Sequence, residues 1–256
     1  MRIISFCADG IRDAAKKGFY DWVSDQDAEF ICIQNLKASE YDLPDKPYFM
    51  RDYNAYFFDA VDSKTNGVAI YCKRLPKAIM TGLGFTDFDM EGRYIQADYP
   101  DISIGCLLAP SAYNEDGKAR NRKAQFFNHY QNHLKKISNK RREFIICGNL
   151  NIAHEARDVQ NPDANQSQSG FLPEERQWMD VLFSEVGYVD AFRTINQDSD
   201  EYTWWPTGER GEDGWRVDYQ IVSSGLRSRI EYGAIYKSQE FSSHAPLIMD
   251  YDYEME

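Results

Sequence analysis

The chain has 256 residues, of which 43% are hydrophobic and 27% charged, and its formal net charge is -12. That balance suits a folded soluble protein, and the acidity opposes stand-alone binding to a polyanion, because non-specific affinity comes mostly from Lys and Arg neutralising phosphates. No run of 18 apolar residues occurs, so no transmembrane helix is expected.

The chain opens directly on an apolar strand, Ile3-Ile4-Ser5-Phe6, with no basic segment leading into a long apolar one. A cytoplasmic protein without a secretory signal is therefore expected. Cys7, Cys32, Cys72, Cys106 and Cys147 all sit in strand-like runs, are odd in number and include no CxxC. They read as buried free thiols.

In chain order, residues 2–7 predict a buried strand. Residues 12–23 predict a helix, with Ile11, Ala15, Phe19 and Val23 about one turn apart. Residues 30–33 predict a short strand. Residues 53–61 and 68–73 predict a hairpin across the turn-forming 63–67 segment. A second hairpin is expected from 93–99 and 102–108, turning at Pro100-Asp101. A long helix over 116–138 carries Phe126, Phe127, Tyr130 and Leu134 at helical spacing. Residues 161–170 predict a loop. Residues 173–185 predict a helix with proline in its first turn and acids after it. Strands are expected over 215–222, near 230–236 and over 245–251. No linker-like stretch interrupts the chain, so one domain over 1–256 is expected. Hairpins with helices between them suggest an α/β (α+β) four-layer sandwich, with two mixed sheets face to face and helices outside.

The organising stretch is Glu143-Phe144-Ile145-Ile146-Cys147-Gly148-Asn149-Leu150-Asn151-Ile152. A strand-length apolar run ends in a glycine and then amides, and strand ends are where ligands gather in α/β sheets. A metal-dependent hydrolase needs a carboxylate at such a place, to hold a cation or activate water. Asn149 can neither take a proton nor carry the charge.

The chain resembles the exonuclease III-type endonuclease/exonuclease/phosphatase superfamily across nearly its full length. The marks are residues 5–12, Ile33-Gln34-Asn35-Leu36-Lys37, Gly67-Val68-Ala69-Ile70, Gly92-Arg93-Tyr94, Gly148-Asn149-Leu150-Asn151-Ile152, Trp215-Arg216-Val217-Asp218-Tyr219 and Ser242-Ser243-His244-Ala245-Pro246. By this resemblance the family has Asn at Cys7, a metal-binding Glu at Asn35, a phosphate-contacting Tyr near Leu108, a catalytic Asp at Asn149 and the histidine's Asp partner at Ser243. Asn151, Asp218 and His244 are retained, with Arg93 and Arg216 nearby.

With the orienting carboxylate assigned to Ser243, His244 reads as a hydrogen-bonded structural histidine and Asp218 as a loop-positioning residue. Trp204 and Trp205 read as core or cleft-wall aromatics. Further segments, residues 140–143, 170–176, 204–206 and 244–248 among them, resemble the catabolite repression control branch of the superfamily. That resemblance implies a nuclease-inactive regulator that acts with the RNA chaperone Hfq on A-rich mRNA sites to repress translation; the alternative, from the wider superfamily, is an active Mg²⁺-dependent exonuclease III-like DNA repair nuclease. The regulatory resemblance implies no cofactor, no tight metal site, no membrane and no small-molecule substrate, with self-association inside the complex. The basic run Lys135, Lys136, Lys140, Arg141 and Arg142 is the candidate partner or RNA contact. Its two arginines are expected to be largely exposed, because an unpaired buried guanidinium is costly.

Overall fold

The computed structural model describes residues 1–255. Its strands are β1 (Arg2–Cys7), β2 (Phe30–Gln34), β3 (Asn54–Phe58), β4 (Val68–Cys72), β5 (Ala78–Thr81), β6 (Tyr94–Asp98), β7 (Ile102–Leu108), β8 (Glu143–Asn149), β9 (Tyr188–Asp190), β10 (Asp218–Ser223), β11 (Ile230–Ile235) and β12 (Leu247–Tyr251). They form two six-stranded sheets, ordered β11-β12-β1-β2-β4-β3 and β5-β6-β7-β8-β10-β9. Each sheet has one parallel pair at its centre, β1 with β2 and β7 with β8. The other pairs are antiparallel.

Successive side chains on a strand point to opposite faces, and here both faces are covered. On the inner faces, Ile3, Cys32 and Ile70 meet Ile104, Ile145 and Cys147 between the sheets. On the outer face of the first sheet, Ile4, Phe6, Ile31 and Tyr71 pack against Phe19, Tyr20 and Val23. On the outer face of the second, Leu107, Phe144 and Ile146 pack against Phe126, Tyr130 and Leu134. Strands buried on both faces lose the apolar–polar alternation and read as continuous apolar runs. The predicted four layers are the layers observed.

The long helix is Gly117–Ser138, and its N-cap Asp116 accepts from the N–H groups of Lys118 and Ala119 at 3.0 Å. Several local expectations are corrected. The predicted 12–23 helix is two, Ile11–Lys16 and Phe19–Ser24, parted at Gly18, whose φ of 88° is left-handed. Helix Pro173–Val181 continues as a π-turn, Leu182–Val186. The 161–170 loop contains the short helix Pro162–Asn165. Edge strands β5 and β9, with the helix Ala191–Ile195, were not anticipated. Trp215 precedes β10 and makes only isolated bridges, to Val159 and Trp204. Gly148 is demanded by packing, since a Cβ there would lie 2.2 Å from the Leu107 carbonyl oxygen. All five cysteines are buried and free. Among the described residues no helix is long and apolar enough to cross a membrane.

Candidate active-site cleft

The topology gathers the marked residues at one end of the sandwich. β1, β2, β7 and β8 finish there, whereas β10 starts there with Asp218 directly opposite Asn149 in the ladder. Leu108 flanks Asn149 on its other side. The resulting cleft encloses about 560 Å³ and is lined by Asp9, Asn35, Arg93, Asn149, Asn151 and His244, with Leu108, Ser243 and Trp204 on its walls. Asp9, Asn35 and Asn151 leave their strands with φ of 47°, 56° and 52°. Short polar side chains tolerate this left-handed conformation best after glycine.

His244 is not left without an orienting group. Its Nδ1 lies 2.7 Å from Asp218 Oδ2, and both residues are buried. The Trp204 ring stacks on the imidazole, with centroids 5.9 Å apart. Burial by itself would lower the imidazole pKa, but Asp218, and after it Cys7, outweigh burial and hold it well above the ordinary value. An imidazolium donating to a carboxylate is the favoured state. The expected partner position, Ser243, is a half-buried residue of the cleft wall. Asp218 therefore holds the histidine rather than merely positioning loops. Local spacing does not show the pair, because Asp218 opens β10 whereas His244 lies in the loop before β12, 26 positions on.

The amides are tied down. Asn149 Oδ1 accepts from the Asn151 N–H at 2.7 Å, while its Nδ2 donates to Cys7 Sγ at 3.6 Å. Asn151 Nδ2 donates to the Ala109 carbonyl at 2.8 Å. Asn35 Nδ2 donates to Asp9 Oδ1 at 3.1 Å, and Lys37 Nζ reaches the same oxygen at 2.5 Å. Asp9, within the marked 5–12 segment, is a cleft residue that the sequence analysis does not single out. It is the cleft's exposed carboxylate, and its position after β1, one residue on from Ala8, was the available signal.

Family resemblance implies Mg²⁺, and these donors fit it poorly. A hard divalent cation wants several oxygens, usually with one or two carboxylates among them. Here the single exposed carboxylate is paired with an ammonium and an amide.

Arg93 stays at the cleft, with Nη1 donating to the Leu108 carbonyl at 3.2 Å and Nε paired to Glu91. Arg216 does not. It is fully buried, 2.8 Å from Asp158 and 2.8 Å from Asp190, and Arg193 joins the same Asp158 carboxylate. The basic run lies at the opposite end of the second sheet, where Ile102 pairs with Glu143. Lys135, Lys136, Lys140 and Arg141 are exposed there. Arg142 departs from expectation: its guanidinium is held by Asp98 at 3.2 Å, Ser103 Oγ at 3.3 Å and the Pro100 carbonyl at 3.4 Å.

Residues 9–233 match the model of the Endonuclease/Exonuclease/phosphatase family. The chain belongs to this family. It is 31% identical to an exodeoxyribonuclease of Bacillus subtilis, over 96% of this chain and 98% of the relative. It is 32% identical to the DNA repair nuclease APEX1 of Danio rerio, over 97% of this chain and 81% of the relative. The fold matches an AP endonuclease from Archaeoglobus fulgidus with a TM-score of 0.89 at 24% identity, covering 99% of this chain and 100% of the other. These relatives overturn the expectation of a catalytically inert translational repressor in catabolite repression. They are named as nucleases that act on DNA, and the Asp218–His244 pair shows that Ser243 does not leave the histidine without a carboxylate partner.

Proposed function

We propose that this chain is a DNA phosphodiester hydrolase of the exonuclease III and AP endonuclease class, working through the strand-end cleft at a rate held down by its missing carboxylates. The observation that carries the reading is the Asp218–His244 pair opening on that cleft. The named relatives support the substrate class.

In this reading the phosphodiester lies against Arg93, Asn151 and His244. The guanidinium and the imidazolium supply fixed positive charge where negative charge develops on the phosphate oxygens, the kind of preorganised stabilisation that dominates many enzymes. Asp218 fixes the ring's tautomer and stabilises its charged form, and Trp204 fixes its plane. Asn149 orients but cannot accept a proton, so the absent general base lowers the rate by about 10²–10⁴ relative to a site that has one. Membership of the catabolite repression control branch is supported by residues 140–143 and 170–176, but the regulatory role that this resemblance implied is not carried over.

The test is cleavage of an abasic-site duplex by the purified chain, with His244→Ala and Asp218→Asn in parallel. Slow cleavage above buffer that falls in both variants is expected. Cleavage no faster than buffer, or cleavage untouched by His244→Ala, overturns the reading.

A further inference from the structure

We propose that Cys7, Asp218 and His244 form a binding site for a thiophilic divalent cation, with zinc the best match. One potential ligand atom from each residue lies within 4.8 Å of the other two, and all three residues are buried. Sulfur, imidazole nitrogen and carboxylate oxygen make up a zinc donor set, whereas thiolate ligands disfavour magnesium and calcium.

Two further observations point to a ligand. Asp218 Oδ1 is buried and has no hydrogen-bond partner among the described residues, although its Oδ2 is taken by His244. A buried carboxylate oxygen without a partner is costly, and a cation would satisfy it. The Asn149 amide donates to Cys7 Sγ at 3.6 Å. An amide there offers sulfur a hydrogen-bond donor, which an ionised carboxylate cannot. The two departures from the family pattern, Cys7 and Asn149, thus stand in contact and suit each other. The cleft has given up oxygen donors for a hard cation and acquired sulfur for a soft one.

Zinc lies about 2.0–2.3 Å from its ligands, so tetrahedral donors sit under ~4 Å apart and the three atoms need close by only ~1 Å. With three protein ligands the fourth position is open, as in catalytic zinc sites. The ligand His244 also forms part of the cleft wall. The site shares His244 and Asp218 with the hydrolytic reading but does not depend on it, and ion binding and imidazolium chemistry exclude each other there.

The experiment uses the full chain, stripped of metal, without DNA, so its failure is separate from failure of the nuclease reading. Co²⁺ is the spectroscopic probe. One equivalent is expected to produce sulfur-to-cobalt charge-transfer absorption in the near ultraviolet, to be displaced by Zn²⁺ and to resist excess Mg²⁺. Cys7→Ser and Cys7→Asn should abolish the band and weaken Zn²⁺ binding about tenfold or more, at least the loss seen when a residue merely supporting a ligand is removed. Cys147→Ser, in the inter-sheet core, should keep the band. Melting curves establish that each variant is folded. Absence of the band in the folded parent, its persistence in folded Cys7→Ser, or displacement by Mg²⁺ would overturn the proposal.

Discussion

Replacing Asp158 with Asn tests the buried ion network around Arg216. Asp158 is fully buried, and its carboxylate meets Arg216 Nε at 2.8 Å, Arg216 Nη2 at 3.2 Å and the Arg193 guanidinium. Burial alone would raise its pKa, but the two arginines outweigh burial and hold it well below the ordinary carboxylate range. Removing one partner from a buried pair costs about 3–5 kcal/mol. Arg216 would keep Asp190 at 2.8 Å, and Arg193 would keep the Asp198 carbonyl at 2.7 Å. The lower end, about 3 kcal/mol, is therefore expected. At about 2–4 °C per kcal/mol for a chain near this size, the melting temperature should fall by about 6–12 °C. A depressed folded pKa gives stability that is present above the unfolded value, about 3.9, and lost as pH falls toward the folded value. The gap between parent and variant should be full at neutral pH and narrow below about pH 4. Urea and thermal melts at both pH values read it directly. A gap under about 1 kcal/mol at neutral pH, or one that widens in acid, would refute the reasoning.

Asp218→Asn should cut cleavage of an abasic duplex by up to about 10⁴, the loss found elsewhere when a histidine's carboxylate partner becomes an amide; a loss below tenfold in steady-state rates would show that Asp218 does not act through His244. Asn35→Glu combined with Asn149→Asp should raise Mg²⁺-dependent cleavage by about 10²–10⁴ by supplying a base and a ligand, whereas Asn35→Glu alone should leave the rate near the parent's. Arg141→Glu, at an exposed position, should change stability by no more than about 0.5 kcal/mol, but Arg142→Ala should cost about 1 kcal/mol by urea melts through loss of its hold on Asp98 and Pro100. Gly148→Ala should destabilise by about 1–3 kcal/mol or more, because the new methyl meets the Leu107 backbone; a variant as stable as the parent would show that β7 and β8 can part there.

Long buried strands and the long helix were legible because burial on both faces writes itself as apolar runs and the helix writes a stripe at helical spacing. Gly18 interrupted the 12–23 pattern without disturbing its apolar positions, so one helix was read where two stand. β9 has three residues, too few to show a period. The order of the site segments was legible, but not the partners across them. Ser243 is adjacent to His244 in sequence, yet the backbone carries it to the cleft wall, whereas Asp218 arrives from the other sheet. Arg216 lies just before β10 and meets the buried aspartates, whereas Asp218 opens the strand and meets the histidine. No spacing rule distinguishes Arg216's buried pairing from a place in the cleft, because Asp158 and Asp190 lie 58 and 26 residues away.

β1 lies between β2 and β12, and Arg2 at its start is held by Asp250 through two contacts of 2.8 Å. β1 is therefore paired on one side by a strand made much later in synthesis. At about 5–20 residues per second, β1 exposes a bare backbone edge for on the order of ten seconds or more during synthesis. Unpaired edges recruit foreign strands, so a nascent chain of this topology depends on something shielding that edge. His244 lies three residues before β12, so a growing polypeptide completes its cleft only once that late segment has been made.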